Sequence, residues 1–276
     1  MHLVEANGAA IPAIGMGTWT LKGDQATRLV AKAVEVGYRH VDTAAMYENE
    51  AAVGAGLREA GLSQDEVFVT TKIWPSDCAA GALQASLSAS LDRLGLDQVD
   101  LALIHWPPKH VPLGEAIDAL NDAKAQGLAR HIGVSNFTIA QIEEAAGRSE
   151  APLACNQIEN HPYLDQRRVV AATRAAGMAV VSYCPLGRGG ELFGEPAVTA
   201  AATRTGRSPA QVVLRWHVQQ DGVVAIPRTS NPDRLAENLA VFDFELTADE
   251  VAAISALRSE GLRICDFEFS PVWDAA

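Results

Sequence analysis

The turn Gly15-Met16-Gly17-Thr18-Trp19 decides the fold of this chain. A doubly wound dinucleotide-binding sheet carries GxGxxG at its first strand-to-helix turn, where glycines let the backbone approach a pyrophosphate. The turn lacks that pattern. Outward from it, short and nearly continuous apolar runs recur at Met16–Trp19, His40–Thr43, Phe68–Ile73, Leu101–Trp106, Ile132–Ser135, Ala154–Ile158, Val180–Tyr183 and Val223–Ile226. Such runs suit parallel strands buried on both faces. Helix-like stretches lie between them, among them Asp24–Val36, Ala80–Leu94, Glu115–Gln126 and Gln166–Ala176. Several end at a glycine (Gly37, Gly61, Gly95, Gly127, Gly177), the residue that tolerates a left-handed helix stop.

Eight strand-helix units without the fingerprint predict an α/β fold of the closed kind, a (β/α)8 TIM barrel. There, functional side chains come from the C-terminal ends of several strands. Leu3–Ile14, with Asn7-Gly8 between short apolar pieces, predicts a β-hairpin plugging the bottom of the barrel. Two extra helices are expected at Ser208–Gln220 and Ala248–Leu257, and the tail Gly261–Ala276, carrying Phe267, Phe269 and Trp273, should lie over the mouth. No Gly-, Ser- or Pro-rich linker divides the chain, so residues 1–276 are expected to form one domain.

The composition agrees. Of 276 residues 48% are hydrophobic and 20% charged, enough for a large core, and about 250 residues is the ordinary size of this barrel. The net charge of −12 argues against a nucleic-acid partner, which needs a basic surface. It leaves room for an anionic cofactor held by a few local cations. The N-terminal residues lack a basic region followed by an apolar run, and no run of about 18 apolar residues occurs, so neither a secretory signal nor a membrane span is expected. Cys78, Cys155, Cys184 and Cys265 have no metal-ligand spacing and read as reduced thiols of a cytoplasmic protein without a metal; separately, the chain is expected to work as a monomer.

Polar residues punctuate the apolar runs. Asp42 ends the second, Lys72 interrupts the third, His105-Trp106 end the fourth, and Tyr47 follows the second closely. All would project into one mouth. A buried ammonium needs a partner, and Asp42 on the neighbouring strand supplies it. A phenol has a pKa of about 10, high for a proton donor near neutral pH, and a nearby ammonium should lower it. Carbonyl reduction needs an acid that protonates the developing alkoxide, a role open to Tyr47 polarised by Lys72. His105 could donate a hydrogen bond to the same oxygen.

Three longer motifs follow. Gly37-Tyr38-Arg39-His40-Val41-Asp42-Thr43-Ala44, with Tyr47, Glu50 and Gly54, resembles the first signature of the aldo/keto reductase family. Arg130-His131-Ile132-Gly133-Val134-Ser135-Asn136-Phe137 resembles the second, and Ile226-Pro227-Arg228-Thr229 with Arg234, Glu237 and Asn238 the third. The resemblance spans the chain. It implies Tyr47 as general acid, tuned by Lys72 and Asp42, with His105 orienting the substrate. It implies NADPH, with neither metal nor flavin, lying extended over the mouth. Ser135, Asn136 and Gln157 match residues that bind the nicotinamide carboxamide, and Tyr183 matches the ring that stacks on nicotinamide. Cys184-Pro185-Leu186-Gly187-Arg188-Gly189 matches the loop near the pyrophosphate, and the resemblance implies further cofactor contacts at Gly17, Thr18, Asp42 and Ser230. Arg228, Thr229 and Arg234 match the surroundings of the 2′-phosphate, where arginine can clamp with two parallel hydrogen bonds, while Glu237 and Asn238 fall on the adenine side.

Trp19, Trp74 and Trp106 sit at strand ends and are expected, with Tyr47 and His105, to wall the substrate pocket. Only nine residues separate His105 from Glu115, which implies an open, small site. The tail motif Ser270-Pro271-Val272-Trp273-Asp274 resembles that of small bacterial members acting on 2,5-diketogluconate, methylglyoxal and similar short carbonyls. Two rival readings remain: a Schiff-base aldolase built on Lys72, and a cofactor-sensing protein of the same fold.

Overall fold

The computed structural model describes residues 2–258 and 262–275. Gly261 and Ala276, the two ends of the expected tail, lie outside them. The hairpin strands β1 (Leu3–Ala6) and β2 (Ala9–Pro12) pair antiparallel. The remaining strands, β3 (Met16–Gly17), β4 (His40–Asp42), β5 (Phe68–Ile73), β6 (Val99–Ile104), β7 (Ala129–Ser135), β8 (Leu153–Glu159), β9 (Ala179–Tyr183) and β10 (Val223–Ala225), form one eight-stranded parallel sheet in sequential order. The sheet curls shut. Ile14 bridges Ala225 in parallel, and Gly15 N donates to Ala225 O at 2.9 Å.

The helices are α1 (Gly23–Val36), α2 (Glu50–Glu59), α3 (Ala82–Leu94), α4 (Leu113–Ala125), α5 (Ile139–Arg148), α6 (Arg167–Ala175), α7 (Pro196–Thr205), α8 (Pro209–Val218), α9 (Asp233–Leu239) and α10 (Ala248–Ser255). The barrel and its hairpin plug are as the sequence implied, with Ala6, Ala9 and Ile11 packing onto Leu101, Leu103 and Val181 inside the barrel. One assignment is corrected. Ser208–Gln220 is not an extra helix, because α8 packs against β10 and α9 as the ring helix of the seventh unit. The extra one is α7, outside the ring against α8 and α10, where Val198, Ala201, Trp216 and Ile254 share a separate apolar cluster. Two consecutive amphipathic helices look alike in sequence; only packing tells which one faces the sheet.

Much of the first motif is scaffold. A Cβ at Gly54 would stand 2.0 Å from Leu94 O, so only glycine lets α2 approach the end of α3. Asn49 Nδ2 donates to Thr18 O at 2.8 Å and Leu21 O at 3.0 Å. Glu50 accepts from Thr71 Oγ1 and Arg93 Nε.

Two buried histidines make stability depend on pH. Burial holds His40 at about 4, with Asp42 opposing, and holds His217 at about 3, with its bond to Pro185 O opposing. Both lie below the ordinary 6.5, so the unfolded chain binds their protons more tightly. Their contribution is intact above about pH 6.5 and is lost as pH falls toward the folded values. At about 1.4 kcal/mol per pK unit, the two together should cost about 2 kcal/mol between pH 7 and pH 5.5. Urea unfolding at both pH values measures this. His217→Gln should remove about a third of the pH dependence, because burial lowers His105 in the same way as His40 and His217; equal slopes in variant and wild type would exclude His217 as a source.

Candidate active site

The C-terminal ends of the strands gather the polar residues as the sequence implied. Asp42 is the last residue of β4, Lys72 lies in β5, and His105 follows β6 by one residue. Tyr47 closes a single 3-10 turn, Ala45–Tyr47, just after β4. Asp42 and Lys72 are each 1% exposed. Lys72 Nζ uses its three protons on Asp42 Oδ1 at 2.5 Å, Thr43 O at 2.8 Å and Tyr47 Oη at 3.4 Å. It also stands 5.0 Å from the centre of the Tyr47 ring. The other carboxylate oxygen, Asp42 Oδ2, accepts from Gln157 Nε2 at 2.7 Å. That bond crosses the barrel from β8 to β4 and gives Gln157 a role that the sequence did not show.

Lys72 does not lower the Tyr47 pKa as the sequence suggested. Burial pushes the phenol well above its ordinary value, and Asp42 pushes the same way. The reason is pairing: the Asp42 carboxylate, 2.5 Å from the ammonium, largely cancels its field at the phenol. Tyr47 therefore stays protonated, the form a proton donor must have. Burial also lowers Lys72, against the pull of Asp42. His105 is held well below its ordinary value by burial and then by Lys72, so it is a neutral imidazole. Its ring meets the edges of Tyr47 at 5.6 Å and Trp74 at 5.4 Å.

These residues stand at the foot of a cavity of about 450 Å³. Of the expected substrate residues, Trp19, Tyr47, His105 and Trp106 line it, whereas Trp74 lies one shell back, edge-on to His105 and Phe269. Of the expected cofactor residues, Gly17, Thr18, Asp42, Ser135, Asn136, Gln157, Tyr183, Pro185, Leu186, Arg228 and Arg234 line it. Gly187, Thr229, Ser230, Glu237 and Asn238 do not. Gly187 faces His161 and Leu192, Thr229 Oγ1 accepts from Asn231 N at 3.0 Å, and Glu237 accepts from Ser208 Oγ. Met46, Arg188, Phe193, Cys265, Phe267 and Phe269 also line the cavity. Arg188 stood in the loop motif and the two phenylalanines in the tail, whereas Met46, Phe193 and Cys265 carried no signal of a place in the wall.

The wall fits a nicotinamide dinucleotide. At one end Tyr183 Oη donates to Asn136 Oδ1 at 2.7 Å, and Asn136 Nδ2 to His105 O at 3.0 Å, an amide-rich floor suited to a carboxamide. Elsewhere on the wall three guanidinium groups, Arg188, Arg228 and Arg234, collect in a chain of net charge −12, as a phosphate-bearing ligand requires. The loop 184–190 is tightly wound, with left-handed backbone at Cys184, Gly187, Arg188, Gly189 and Gly190. Two of its amides are spent internally, Gly187 N on Cys184 O and Gly189 N on Leu186 O.

Fold and site together define an oxidoreductase built on a closed barrel. The Aldo/keto reductase family model matches residues 13–259, and the chain belongs to that family. An aldo-keto reductase of Mycobacterium sp. (strain MCS) is 45% identical over 258 residues, covering 93% of this chain and 90% of the relative. Morphine 6-dehydrogenase of Pseudomonas putida is 41% identical, covering 94% and 91%. A crystal structure of a protein provisionally called 2,5-diketo-D-gluconic acid reductase B superposes with TM-score 0.97 at 45% identity, covering 100% of this chain and 98% of that one. The Bombyx mori aldo-keto reductase, solved in complex with NADP, gives 0.87 at 37% identity, covering 94% and 92%. Among the described residues no helix is long and apolar enough to cross a membrane.

Proposed function

We propose that this protein reduces small aldehydes, α-dicarbonyls or keto-sugars of the 2,5-diketogluconate type to alcohols, with NADPH as cofactor and Tyr47 as general acid. The observation that carries this reading is the Lys72 ammonium, shared between Asp42, Thr43 O and Tyr47 Oη beneath a cavity with aromatic and cationic walls. NADPH, when bound, supplies the hydride. His105 and Tyr47 hold the carbonyl oxygen, and Tyr47 gives its proton to that oxygen as it gains charge. The Lys72 bond to Tyr47 Oη strengthens as the phenolate forms, because both partners are then charged. Asp42 and Gln157 keep Lys72 in place. Ser135, Asn136 and Tyr183 receive the nicotinamide, Arg228 and Arg234 the 2′-phosphate, with Glu237 and Asn238 towards the adenine. Trp19, Trp106, Phe267 and Phe269 make the substrate wall apolar, which suits an aryl-substituted α-dicarbonyl such as phenylglyoxal. A Schiff base is disfavoured, since the Lys72 side chain is 0% exposed and its protons are all engaged. Whole-chain action as one domain, as a cytoplasmic monomer, completes the reading.

NADPH consumption against short aldehydes, α-dicarbonyls, keto-sugars and steroids tests the substrate class; turnover of steroids alone would overturn it. The cofactor reading has its own test. Arg228 is exposed on the cavity wall, and its Nε donates to Trp19 O at 3.2 Å. Arg228→Ala should weaken NADPH about 10- to 150-fold, the loss of one charge-assisted contact, and leave NADH nearly unchanged. Fluorescence titration of both cofactors measures it. An equal loss for both would assign Arg228 to holding the Trp19 segment instead.

A further inference from the structure

Glu159, the last residue of β8, is 0% exposed and belongs to none of the roles above. Burying a carboxylate is costly unless every lone pair is engaged. Here Oε1 accepts Ile264 N at 2.7 Å, Oε2 accepts Cys265 N at 2.7 Å, and His161 Nε2 lies 3.0 Å from Oε1. A carboxylate can only accept, so His161 donates. Burial pushes Glu159 up, yet the bonds from His161, Ile264 and Cys265 outweigh it and hold the carboxyl below its ordinary value. Two residues beyond this clamp the tail turns its rings into the cavity. Phe267 stacks on Phe269 at 5.1 Å, and both stand edge-on to Trp106, at 5.9 Å and 5.2 Å. Further along, Asp274 Oδ2 accepts Ile139 N at 2.9 Å. The tail wall is thus fixed to the barrel on the near side of its phenylalanines by one buried charge.

We propose that Glu159 is a positioning residue for substrate: its carboxylate fixes the start of the tail so that Phe267 and Phe269 complete the wall of the substrate pocket. A carboxylate is needed because both oxygens receive backbone donors from successive residues, and a carboxamide offers one oxygen only. The residue acts through the tail and leaves Tyr47, Lys72 and His105 untouched, so its effect falls on substrate capture.

The test rests on the carbonyl-reductase reading and uses phenylglyoxal, large enough to meet the phenylalanines, beside methylglyoxal, too small to need them. Glu159→Gln should raise KM for phenylglyoxal about tenfold, the cost of one charge-assisted bond spread over a loosened wall. kcat, the NADPH dissociation constant and KM for methylglyoxal should stay within about twofold, since none of the groups that set them is altered. In a Phe267→Ala/Phe269→Ala background, the same substitution should change KM for phenylglyoxal less than about twofold, because the coupled residues no longer exist to be positioned. Amide hydrogen exchange at Ile264 and Cys265 should quicken in Glu159→Gln. Ile264→Pro, which deletes one donor and leaves β8 intact, should reproduce the KM shift. An equal KM change in both backgrounds, or losses of thermal stability with both KM values unchanged, would overturn the proposal in favour of a purely structural carboxylate. A wild type that reduces neither dicarbonyl would sink the substrate reading instead, and amide exchange at Ile264 and Cys265 would then decide the clamp.

Discussion

Tyr47→Phe should lower kcat by about 10²-fold or more while NADPH binding stays near the wild-type value. The substitution removes one hydroxyl and keeps the ring that lies edge-on to His105. It deletes the proton that must reach the carbonyl oxygen, and no other group on this wall can replace it. His105 is a neutral imidazole held well below its ordinary pKa, and Lys72 is locked on Asp42 and Thr43 beneath the ring. The raised Tyr47 pKa carries a second consequence. The phenol keeps its proton past pH 10, so loss of the acid cannot limit the rate on the alkaline side of neutrality. Steady-state kinetics from pH 6 to 9 check both statements. A variant keeping more than half of the wild-type kcat would remove Tyr47 from the chemistry.

The second large effect belongs to Lys72→Met. Methionine fills similar space without the charge. Activity should fall by about 10²-fold or more, since the phenolate left by proton transfer loses its only adjacent ammonium among the described residues. Asp42 keeps Gln157 Nε2 on Oδ2 and loses its partner on Oδ1. Stranding one member of a buried pair costs about 3–5 kcal/mol if Asp42 remains ionised. If it takes up a proton instead, the loss is smaller and grows as pH rises, because ionising the stranded carboxyl becomes steadily harder to avoid. Thermal unfolding of the variant at pH 6 and pH 8 separates these outcomes. An active Lys72→Met enzyme with the wild-type pH profile would contradict the role given to the ammonium.

Much of this architecture is legible in the residues. β6 (Val99–Ile104) is buried at every position, and the apolar run from Leu101 onward says so for most of it. Asp42 and Lys72 stand out because a charge inside an apolar run needs a partner, and β4 pairs with β5 in the register that brings them together. Other features depend on contacts between distant parts of the chain. Gln157 meets Asp42 across the barrel, 115 residues away, and no local pattern signals that meeting. The direction of the Tyr47 shift is set first by burial of the phenol and then by the nearby Asp42 carboxylate, and spacing along the chain contains neither. Glu159 carries no motif. Its meaning arises only where the tail returns, 105 residues later, to offer two amides. The place of α8 in the ring and of α7 outside it has the same origin, because both helices are amphipathic and only packing against the sheet selects between them.

The central claim is that the chain moves a hydride from a nicotinamide cofactor to a carbonyl carbon, with Tyr47 completing the alcohol. Its most direct test is isotopic. Phenylglyoxal is incubated with the wild-type protein and NADPH deuterated at the transferable position of C4, and the product is analysed by mass spectrometry. One deuterium is expected on the carbinol carbon for each NADPH oxidised, with almost no labelled product from Tyr47→Phe over the same interval. Carbonyl consumption without label transfer, together with a borohydride-trapped adduct on Lys72, would contradict it.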